Sequence, residues 1–271
     1  MKFELKEYQE EAAAKVLSGL RKGSAEYAAD GEYTAVSLSA PTGAGKTVIA
    51  TAVIERIVFG DPEGDHPGDP DVVFLWLTDD PSLNEQTRKK ILEASDRIQS
   101  AHLVTLDEGF DQPEFGRGKV YFLNIQKLSK TSKLVVKKEG RRATPLWATI
   151  TNTVKANGDH FYLVIDEAHR GTGRTSREDQ TIAQRLMNGD ASVTAAPVVL
   201  GISATPERFD NAVQAGTQGR LSRKVTVPIA AVRESGLIKD VLSISYRGEA
   251  QTMETTLVRQ AVANLKVLDE A

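Results

Sequence analysis

Cysteine is absent from the 271-residue sequence, which excludes disulfide bonds, cysteine-ligated zinc sites and catalysis by a thiol. No uncharged apolar run approaches the ~18 residues that a membrane span requires. The first seven residues, Met1 to Glu7, lack the apolar core of a secretory signal. We therefore expect a cytoplasmic protein with no membrane partner.

An excess of positive charge is missing as well. Lysine and arginine number 34 and aspartate and glutamate 37, which gives a net charge of −3. Proteins that hold nucleic acid by bulk charge usually have an isoelectric point above ~9, whereas this one lies near 5.9. Any nucleic-acid binding must therefore use a local patch or backbone amides. The 40% hydrophobic and 26% charged residues predict an ordinary globular protein.

Strand-like and helix-like segments alternate along the chain. Strands are predicted at residues 33–39, 72–77, 119–123, 161–165 and 198–203. Helices are predicted at residues 4–21, from 46 to about 56, and from 82 to about 95. This alternation indicates an α/β fold with a mostly parallel sheet and helices on both faces. The loops that follow the strands should then lie along one edge of the sheet.

The ends of these elements are read from turn and capping residues. Gly23 and Ser24 are predicted to close the first helix, and Ser82 is predicted to cap the helix after the second strand, with Glu85 as its capping-box partner. Beyond residue 220 the pattern predicts a strand, then a short helix at 230–235. A strand at 238–246 and a helix at 253–269 follow.

A phosphate-binding loop is the most specific motif. Residues 40–47 read Ala-Pro-Thr-Gly-Ala-Gly-Lys-Thr, between a predicted strand and a predicted helix. Its glycines let successive N–H groups point at phosphate oxygens, and the helix start adds its positive dipole end. The alternative is a glycine-rich turn that caps a helix. The predicted nucleotide-binding residues of this segment are Pro41, Thr42, Gly43, Ala44, Gly45, Lys46, Thr47 and Val48.

Two adjacent carboxylates end the apolar strand at 161–165. Asp166 suits a Mg²⁺ contact, which the Thr47 hydroxyl would share, and Glu167 suits a base that orients an attacking water. An isolated acidic pair would equally often cap the next helix. After a phosphate-binding loop in the same sheet, we expect Lys46, Asp166 and Glu167 to be the catalytic residues.

A Ser-Ala-Thr motif follows the strand at 198–203. The hydroxyls of Ser203 and Thr205 are predicted to bond with Asp166, Glu167 or His169 and so to couple phosphate state to other sites. A strand-end turn is the alternative for this motif taken alone. The other three histidines form no metal-ligand spacing with His169, so a polar link is the expected role of this side chain.

These motifs, together with Tyr8 and Gln9 upstream, resemble the first RecA-like domain of superfamily 2 helicases in its DEAH form. The resemblance implies that ATP and Mg²⁺ bind and that Gln9 reads the adenine edge, with Tyr8 beside it. Residues 76–87 and 166–173 are similar to the corresponding stretches of type III restriction enzyme Res subunits. Residues 124–128 and Gly-Leu-Ile at 236–238 are similar too. This closer resemblance implies DNA as a partner, with a methyltransferase or nuclease subunit.

The sequence departs from that family in its length. The family has a second RecA-like domain with arginine fingers, and no room for it remains after residue 220. We expect residues 1–220 to form the ATP-binding domain and residues 221–271 to extend it towards a second domain. Either the sequence is a fragment of a longer protein, or the second domain comes from another chain. Because a missing finger costs related enzymes ~10³–10⁵ in rate, hydrolysis by the isolated domain should be weak.

A basic run at residues 127–142 is the strongest local patch of positive charge. It includes Lys127, Lys137, Lys138, Arg141 and Arg142 against a single acid, Glu139. A solvated loop is the alternative for such a run. By resemblance, residues near two strand ends also contact the nucleic-acid backbone. The complete set of predicted nucleic-acid contacts is Thr78, Gln86, Asn124, Lys127, Lys137, Lys138, Arg141 and Arg142.

These features favour the ATP-hydrolysing motor domain of a DNA helicase or translocase. Two alternatives share the phosphate-binding loop. A small-molecule kinase would use the loop but would not need the Ser-Ala-Thr motif. A nucleotide-gated clamp would bind DNA with negligible turnover.

Overall fold

The computed structural model of the chain describes residues 1–61, 66–79, 81–125, 143–167 and 181–237. The helices of this part are α1 (Glu7–Asp30), α2 (Lys46–Phe59), α3 (Pro81–Ala94), α4 (Leu146–Asn157), α5 (Ile182–Asn188), α6 (Glu207–Gln214) and α7 (Ile229–Glu234). The strands are β1 (Thr34–Ser39), β2 (Val73–Thr78), β3 (Leu103–Thr105), β4 (Lys119–Asn124), β5 (Phe161–Asp166), β6 (Val198–Ser203) and β7 (Leu221–Thr226).

The seven strands form one sheet in the order β3-β4-β2-β5-β6-β1-β7. Every pairing between them is parallel, so all seven strands end at the same edge, which we call the carboxyl edge. The predicted α/β fold with a parallel sheet is confirmed. Central strands of such a sheet are covered on both faces, which explains why β2 and β5 are almost continuously apolar.

Two hydrophobic clusters cover the two faces of the sheet, and β2 shows the division clearly. Phe74 and Trp76 face the cluster that contains residues of α1, α2, α3 and α7. Val73, Leu75 and Leu77 face the cluster that contains residues of α4, α5 and α6. The alternation follows from the two-residue period of a strand. Helices therefore lie on both faces, as the sequence predicts.

The first helix is longer than predicted. It continues through Gly23 and ends at Asp30, where Gly31 takes the left-handed conformation and donates its N–H to the Tyr27 carbonyl. Gly23 lies inside the helix because α1 packs closely on β1. A Cβ atom at this position would lie 2.7 Å from Cβ of Thr34. The glycine therefore marks a close approach between two elements, and the predicted helix end was wrong.

Other elements also differ from the sequence expectations. Helix α3 begins at Pro81, so Ser82 lies in its first turn and not at the cap. The short strand β3 and the helices α4, α5 and α6 were not predicted. Strand β7 opens the predicted C-terminal extension and pairs with β1 along its whole length. The strand predicted at 238–246 and the helix predicted at 253–269 lie outside the described residues.

Within the ranges that the structure covers, no helix combines the length and the apolar composition that spanning a bilayer requires.

Candidate nucleotide-binding site

The predicted motifs meet at the carboxyl edge of the sheet. Ser39, the last residue of β1, lies opposite Ser203 of β6, and Asp166 of β5 lies opposite Ile202. The loop after β1, the carboxylates after β5 and the turn after β6 are therefore direct neighbours. Parallel α/β sheets commonly bind ligands in the crevice outside this edge.

Two glycines give the loop between β1 and α2 its shape. Gly43 and Gly45 have φ angles of 85° and 77°, in the left-handed region that other residues seldom adopt. The Ala44 N–H donates to the Pro41 carbonyl at 3.1 Å and closes a turn. Gly45 immediately precedes Lys46, the first residue of the 14-residue helix α2. Free N–H groups of a helix start next to such a loop can receive an anion.

The lysine of the loop is held by backbone carbonyls. Lys46 Nζ donates to the Ala40 carbonyl at 3.1 Å and to the Pro41 carbonyl at 3.4 Å. The ammonium group is thus kept over the loop, half-buried, within the region that phosphate oxygens would enter. Thr47, also half-buried, follows in the first turn of α2. An ammonium group and free backbone amides bind phosphate oxygens, and a hydroxyl binds the metal ion that accompanies the phosphates.

The start of α1 packs against the same loop. The Tyr8 hydroxyl and the Gln9 Nε2 both donate to the Ala44 carbonyl, at 2.9 and 3.2 Å. Gln9 Oε1 accepts from the Lys6 N–H at 3.0 Å, so the amide is engaged at both ends and only 5% exposed. Burial raises the pKa of the Tyr8 phenol, which keeps it a hydrogen-bond donor. Adenine recognition by Gln9 stays a prediction.

The two carboxylates lie at the end of β5. Asp166 accepts the Glu167 N–H at 3.0 Å, and Glu167 has a φ angle of 50°, a left-handed conformation that is uncommon outside glycine. Burial and the neighbouring Glu167 raise the pKa of the Asp166 carboxyl. A divalent cation beside Asp166 would offset both the burial of its negative charge and the repulsion from Glu167. The Asp166 carboxylate and the Thr47 hydroxyl are oxygen ligands of the kind that Mg²⁺ prefers.

A cleft of about 420 Å³ joins the loop to the carboxylates. The loop contributes Gly43, Gly45, Lys46, Thr47 and Val48, and the end of β5 contributes Asp166 and Glu167. Helix α3 forms the remaining wall through Leu83, Gln86, Thr87 and Lys90. The sequence assigned Gln86 to nucleic acid and assigned nothing to Lys90. The alternation of apolar and polar residues in α3 predicts a helix, but it does not show which face of that helix lines the cleft.

The Ser-Ala-Thr turn has local hydrogen bonds. Ser203 Oγ donates to the Thr205 carbonyl and accepts the Thr205 N–H, both at 3.0 Å. Ser203 is nearly buried next to β5, whereas Thr205 is exposed. These bonds fix the turn and do not join it to Asp166. His169 lies outside the described residues, so the coupling role of the three side chains stays a prediction.

Two predicted nucleic-acid contacts are buried. The exposed fraction is 1% for Thr78 and 0% for Asn124, which lie opposite each other at the ends of β2 and β4. The Thr78 hydroxyl donates to Asn84 Oδ1 at 2.6 Å, inside the protein. In this conformation neither side chain can contact a polymer. The remaining basic candidates, Lys127, Lys137, Lys138, Arg141 and Arg142, lie outside the described residues.

A family model and a solved structure are similar to this chain. A family model described as "Type III restriction enzyme, res subunit" matches residues 2–208, which contain all three motifs. No curated protein matches. One similar solved structure is a nuclease-deletion mutant of the Type ISP restriction-modification enzyme LlaGI in complex with a DNA substrate mimic. It has a TM-score of 0.41 and 15% identity over 75% of this chain.

The chain covers 18% of that enzyme's length. At this level of identity and superposition, the likeness says nothing about activity.

Proposed function

The chain belongs to the family of type III restriction enzyme res subunits, and on that premise we propose that it binds and hydrolyses ATP with Mg²⁺ as the first motor domain of a DNA helicase or translocase. The single observation that carries the proposal is the cleft that the phosphate-binding loop shares with Asp166 and Glu167. Such a cleft brings a phosphate-binding surface and a potential base within reach of one small ligand.

Binding would begin at the loop. The amides after Gly43 and the positive end of α2 receive the phosphate oxygens, and Lys46 exchanges the Ala40 and Pro41 carbonyls for the terminal phosphates. The exchange replaces neutral acceptors with charged ones, which form stronger hydrogen bonds. Tyr8 and Gln9 hold the Ala44 carbonyl away from the phosphates, since a carbonyl pointing inward would repel them.

Hydrolysis would occur at the other end of the cleft. Thr47 and Asp166 would hold Mg²⁺, which supplies positive charge to the phosphate oxygens. Glu167 accepts a hydrogen bond from a water molecule and directs its oxygen at the terminal phosphorus. The water oxygen bonds to this phosphorus as the bond to the bridging oxygen breaks, and a water proton passes to Glu167. ADP and inorganic phosphate form. Ser203 and Thr205, beside β5, would transmit the change to the nucleic-acid surface.

The partners of this activity are inferred from the family and from the charge of the chain. DNA would contact the basic run at residues 127–142. A second RecA-like domain would supply an arginine finger, and a methyltransferase or nuclease subunit would complete a restriction system. A related DEAH-type helicase outside restriction is the second possibility for the biological role.

Calorimetry of Mg²⁺-ATP binding tests the proposal. We expect saturable binding by the wild type and its loss in Lys46→Ala. Glu167→Gln should bind ATP normally but lower any hydrolysis that DNA and a second domain stimulate. A folded wild-type protein that does not bind ATP would contradict the proposal.

Two further readouts separate the alternatives. Transfer of phosphate to an added small-molecule acceptor would favour a kinase. A DNA affinity that depends on nucleotide, without turnover under any condition, would favour the clamp.

A further inference from the structure

One face of α3 forms a wall of the nucleotide cleft. Leu83, Gln86, Thr87 and Lys90 follow the i, i+3, i+4, i+7 spacing of a single helix face, and all four line the cleft. Thr87 is buried, whereas Gln86 and Lys90 are exposed. No motif of the sequence accounts for a cation at the position of Lys90.

Among the described residues, no acid is paired with the ammonium group of Lys90. Its two basic neighbours on α3 are paired: Arg88 with Glu85 at 3.1 Å and Lys89 with Glu93 at 3.7 Å. Lys90 has no hydrogen bond or ion pair in the part of the chain that the structure describes. A lysine of this kind can extend its flexible side chain towards an anion in the cleft.

The strand order indicates which phosphate lies nearest to this wall. The loop follows β1, the carboxylates follow β5 and α3 follows β2, and these strands are arranged as β1-β6-β5-β2. A nucleotide that runs from the loop towards the carboxylates points its terminal phosphate at α3. Asp166 and Glu167 follow β5, which lies between β1 and β2, so a phosphate at the carboxylates lies towards the wall that carries Lys90.

The charges of the cleft support the same conclusion. The side chains that line it include two cations, Lys46 and Lys90, and two carboxylates, Asp166 and Glu167. With Lys90 the formal charges of the lining side chains cancel, and without it one negative charge remains beside the terminal phosphate. Lys46 belongs to the loop and Lys90 to the wall that α3 forms.

We propose that Lys90 contacts the terminal phosphate of the bound nucleotide and so makes the site favour ATP over ADP, with Gln86 as a neutral donor one helical turn away. The inference rests on the proposed ATP binding and deepens it. Lys46 contacts a phosphate that both nucleotides share as well as the terminal one, whereas Lys90 contacts only the terminal phosphate, which ADP lacks. Loss of the terminal phosphate on hydrolysis would then release α3 from the nucleotide.

The test is the affinity of Lys90→Gln for Mg²⁺-ATP and Mg²⁺-ADP, measured by calorimetry. We expect ATP binding to weaken roughly tenfold, as for loss of a hydrogen bond to a charged group, and ADP binding to change less than about twofold. Lys90→Arg should retain most of the ATP affinity. Lys89→Gln is the matched control, because it removes the same charge from the same helix outside the cleft, and both affinities should stay unchanged.

The outcomes distinguish this inference from the proposed function. Equal weakening of ATP and ADP, or no weakening of either, in a folded Lys90→Gln protein would overturn the role of Lys90 while ATP binding stands. A folded wild-type protein that binds neither nucleotide would overturn both. Circular dichroism of each variant excludes loss of structure as the cause.

Discussion

The Tyr8 hydroxyl donates a hydrogen bond of 2.9 Å to the carbonyl oxygen of Ala44, in the middle of the phosphate-binding loop. The two residues are separated by 36 positions, and the bond is buried. Gln9 adds a second bond to the same oxygen. The first helix therefore determines the direction of a carbonyl that would otherwise compete with the loop amides for the space of the phosphates.

Removing the Tyr8 hydroxyl should weaken nucleotide binding. In Tyr8→Phe the Ala44 carbonyl keeps only the longer bond from Gln9, so the loop becomes less preorganised. We expect a loss of about 1 kcal/mol of stability and a several-fold weaker affinity for Mg²⁺-ATP in calorimetry. Tyr121→Phe is the control. The Tyr121 hydroxyl accepts the Gly116 N–H at 2.7 Å, just before β4 begins and so away from the carboxyl edge. An equal loss of ATP affinity in the control would contradict the positioning role.

Neutralising Asp166 should stabilise the protein and abolish its metal-dependent binding. Burial and Glu167 make the charged form of this carboxyl unfavourable in the folded state, and Asp166→Asn removes that cost. We expect a gain of about 1 kcal/mol in the free energy of unfolding at neutral pH, and no Mg²⁺ dependence of ATP binding. Urea unfolding with and without Mg²⁺-ATP measures both effects.

The pH dependence of this gain follows from the direction of the shift. The pKa of Asp166 is raised on folding, so the cost is present in full above the raised value. It disappears as the pH falls towards the ordinary value of 3.8, where the wild type is also neutral. The exposed Glu114→Gln is the control and should change stability little at any pH. A stability difference that grows in acid would be incompatible with a buried carboxylate at Asp166.

The sequence predicted the loops of the site better than the elements that surround them. Gly43 and Gly45 are required by the left-handed backbone of the loop, and a short motif contains this local requirement. The predicted end of α1 was wrong because Gly23 is needed for the close approach of α1 to Thr34. That residue lies eleven positions further on, in strand β1. Sequence spacing alone cannot distinguish a glycine that ends a helix from one that lets it approach a strand.

The same limit applies to the walls of the cleft. The i, i+3, i+4, i+7 spacing from Leu83 to Lys90 is visible in the sequence, but what this face adjoins depends on the order of the strands. Thr78 and Asn124 were expected at a surface by resemblance, and their burial follows from the pairing of β2 with β4. Pairings of parallel strands are long-range and leave little local signal.

Arg220 should be important for stability and not for nucleotide binding. Only 8% exposed, its guanidinium donates to the carbonyls of Thr34, Pro197, Met187 and Ala196, near the edge where β1 and β6 begin. Burial lowers its pKa to about 10.

Replacing this arginine removes the guanidinium hydrogen bonds of four carbonyls, although the Pro197 carbonyl still accepts the Thr34 N–H at 3.0 Å. We expect Arg220→Met to lower the free energy of unfolding by roughly 3 kcal/mol and Arg220→Lys by less, with ATP affinity of the folded fraction unchanged. Arg117→Met removes an exposed pair with Asp71 and should cost less than about 1 kcal/mol. An equal loss of unfolding free energy in Arg220→Met and Arg117→Met would show that the buried guanidinium contributes no more to stability than an exposed ion pair does.

Reversing the basic run should flatten the salt dependence of DNA binding. The change of Lys137, Lys138, Arg141 and Arg142 to Glu removes the largest local positive charge of the sequence. We expect weaker binding and a logarithmic salt slope that falls by ~0.9 for each DNA phosphate that the protein no longer neutralises. Fluorescence anisotropy over a salt series measures the slope. Lys22→Glu with Lys155→Glu, on exposed helix surfaces, is the control, and an unchanged slope in the first variant would argue against DNA binding by this run.

Strand β1 carries the phosphate-binding loop and lies between β6 and β7, which come more than 150 residues later in the chain. During synthesis on the ribosome, Lys46 therefore emerges long before β1 can gain either of its neighbours, whereas Asp166 lies much closer to β6 in the sequence. Nascent chains that end before residue 198 contain the loop, but they leave both edges of its strand unpaired. The nucleotide site should consequently assemble late, once Thr226 has left the ribosomal tunnel, and shorter chains should depend on chaperones to avoid aggregation.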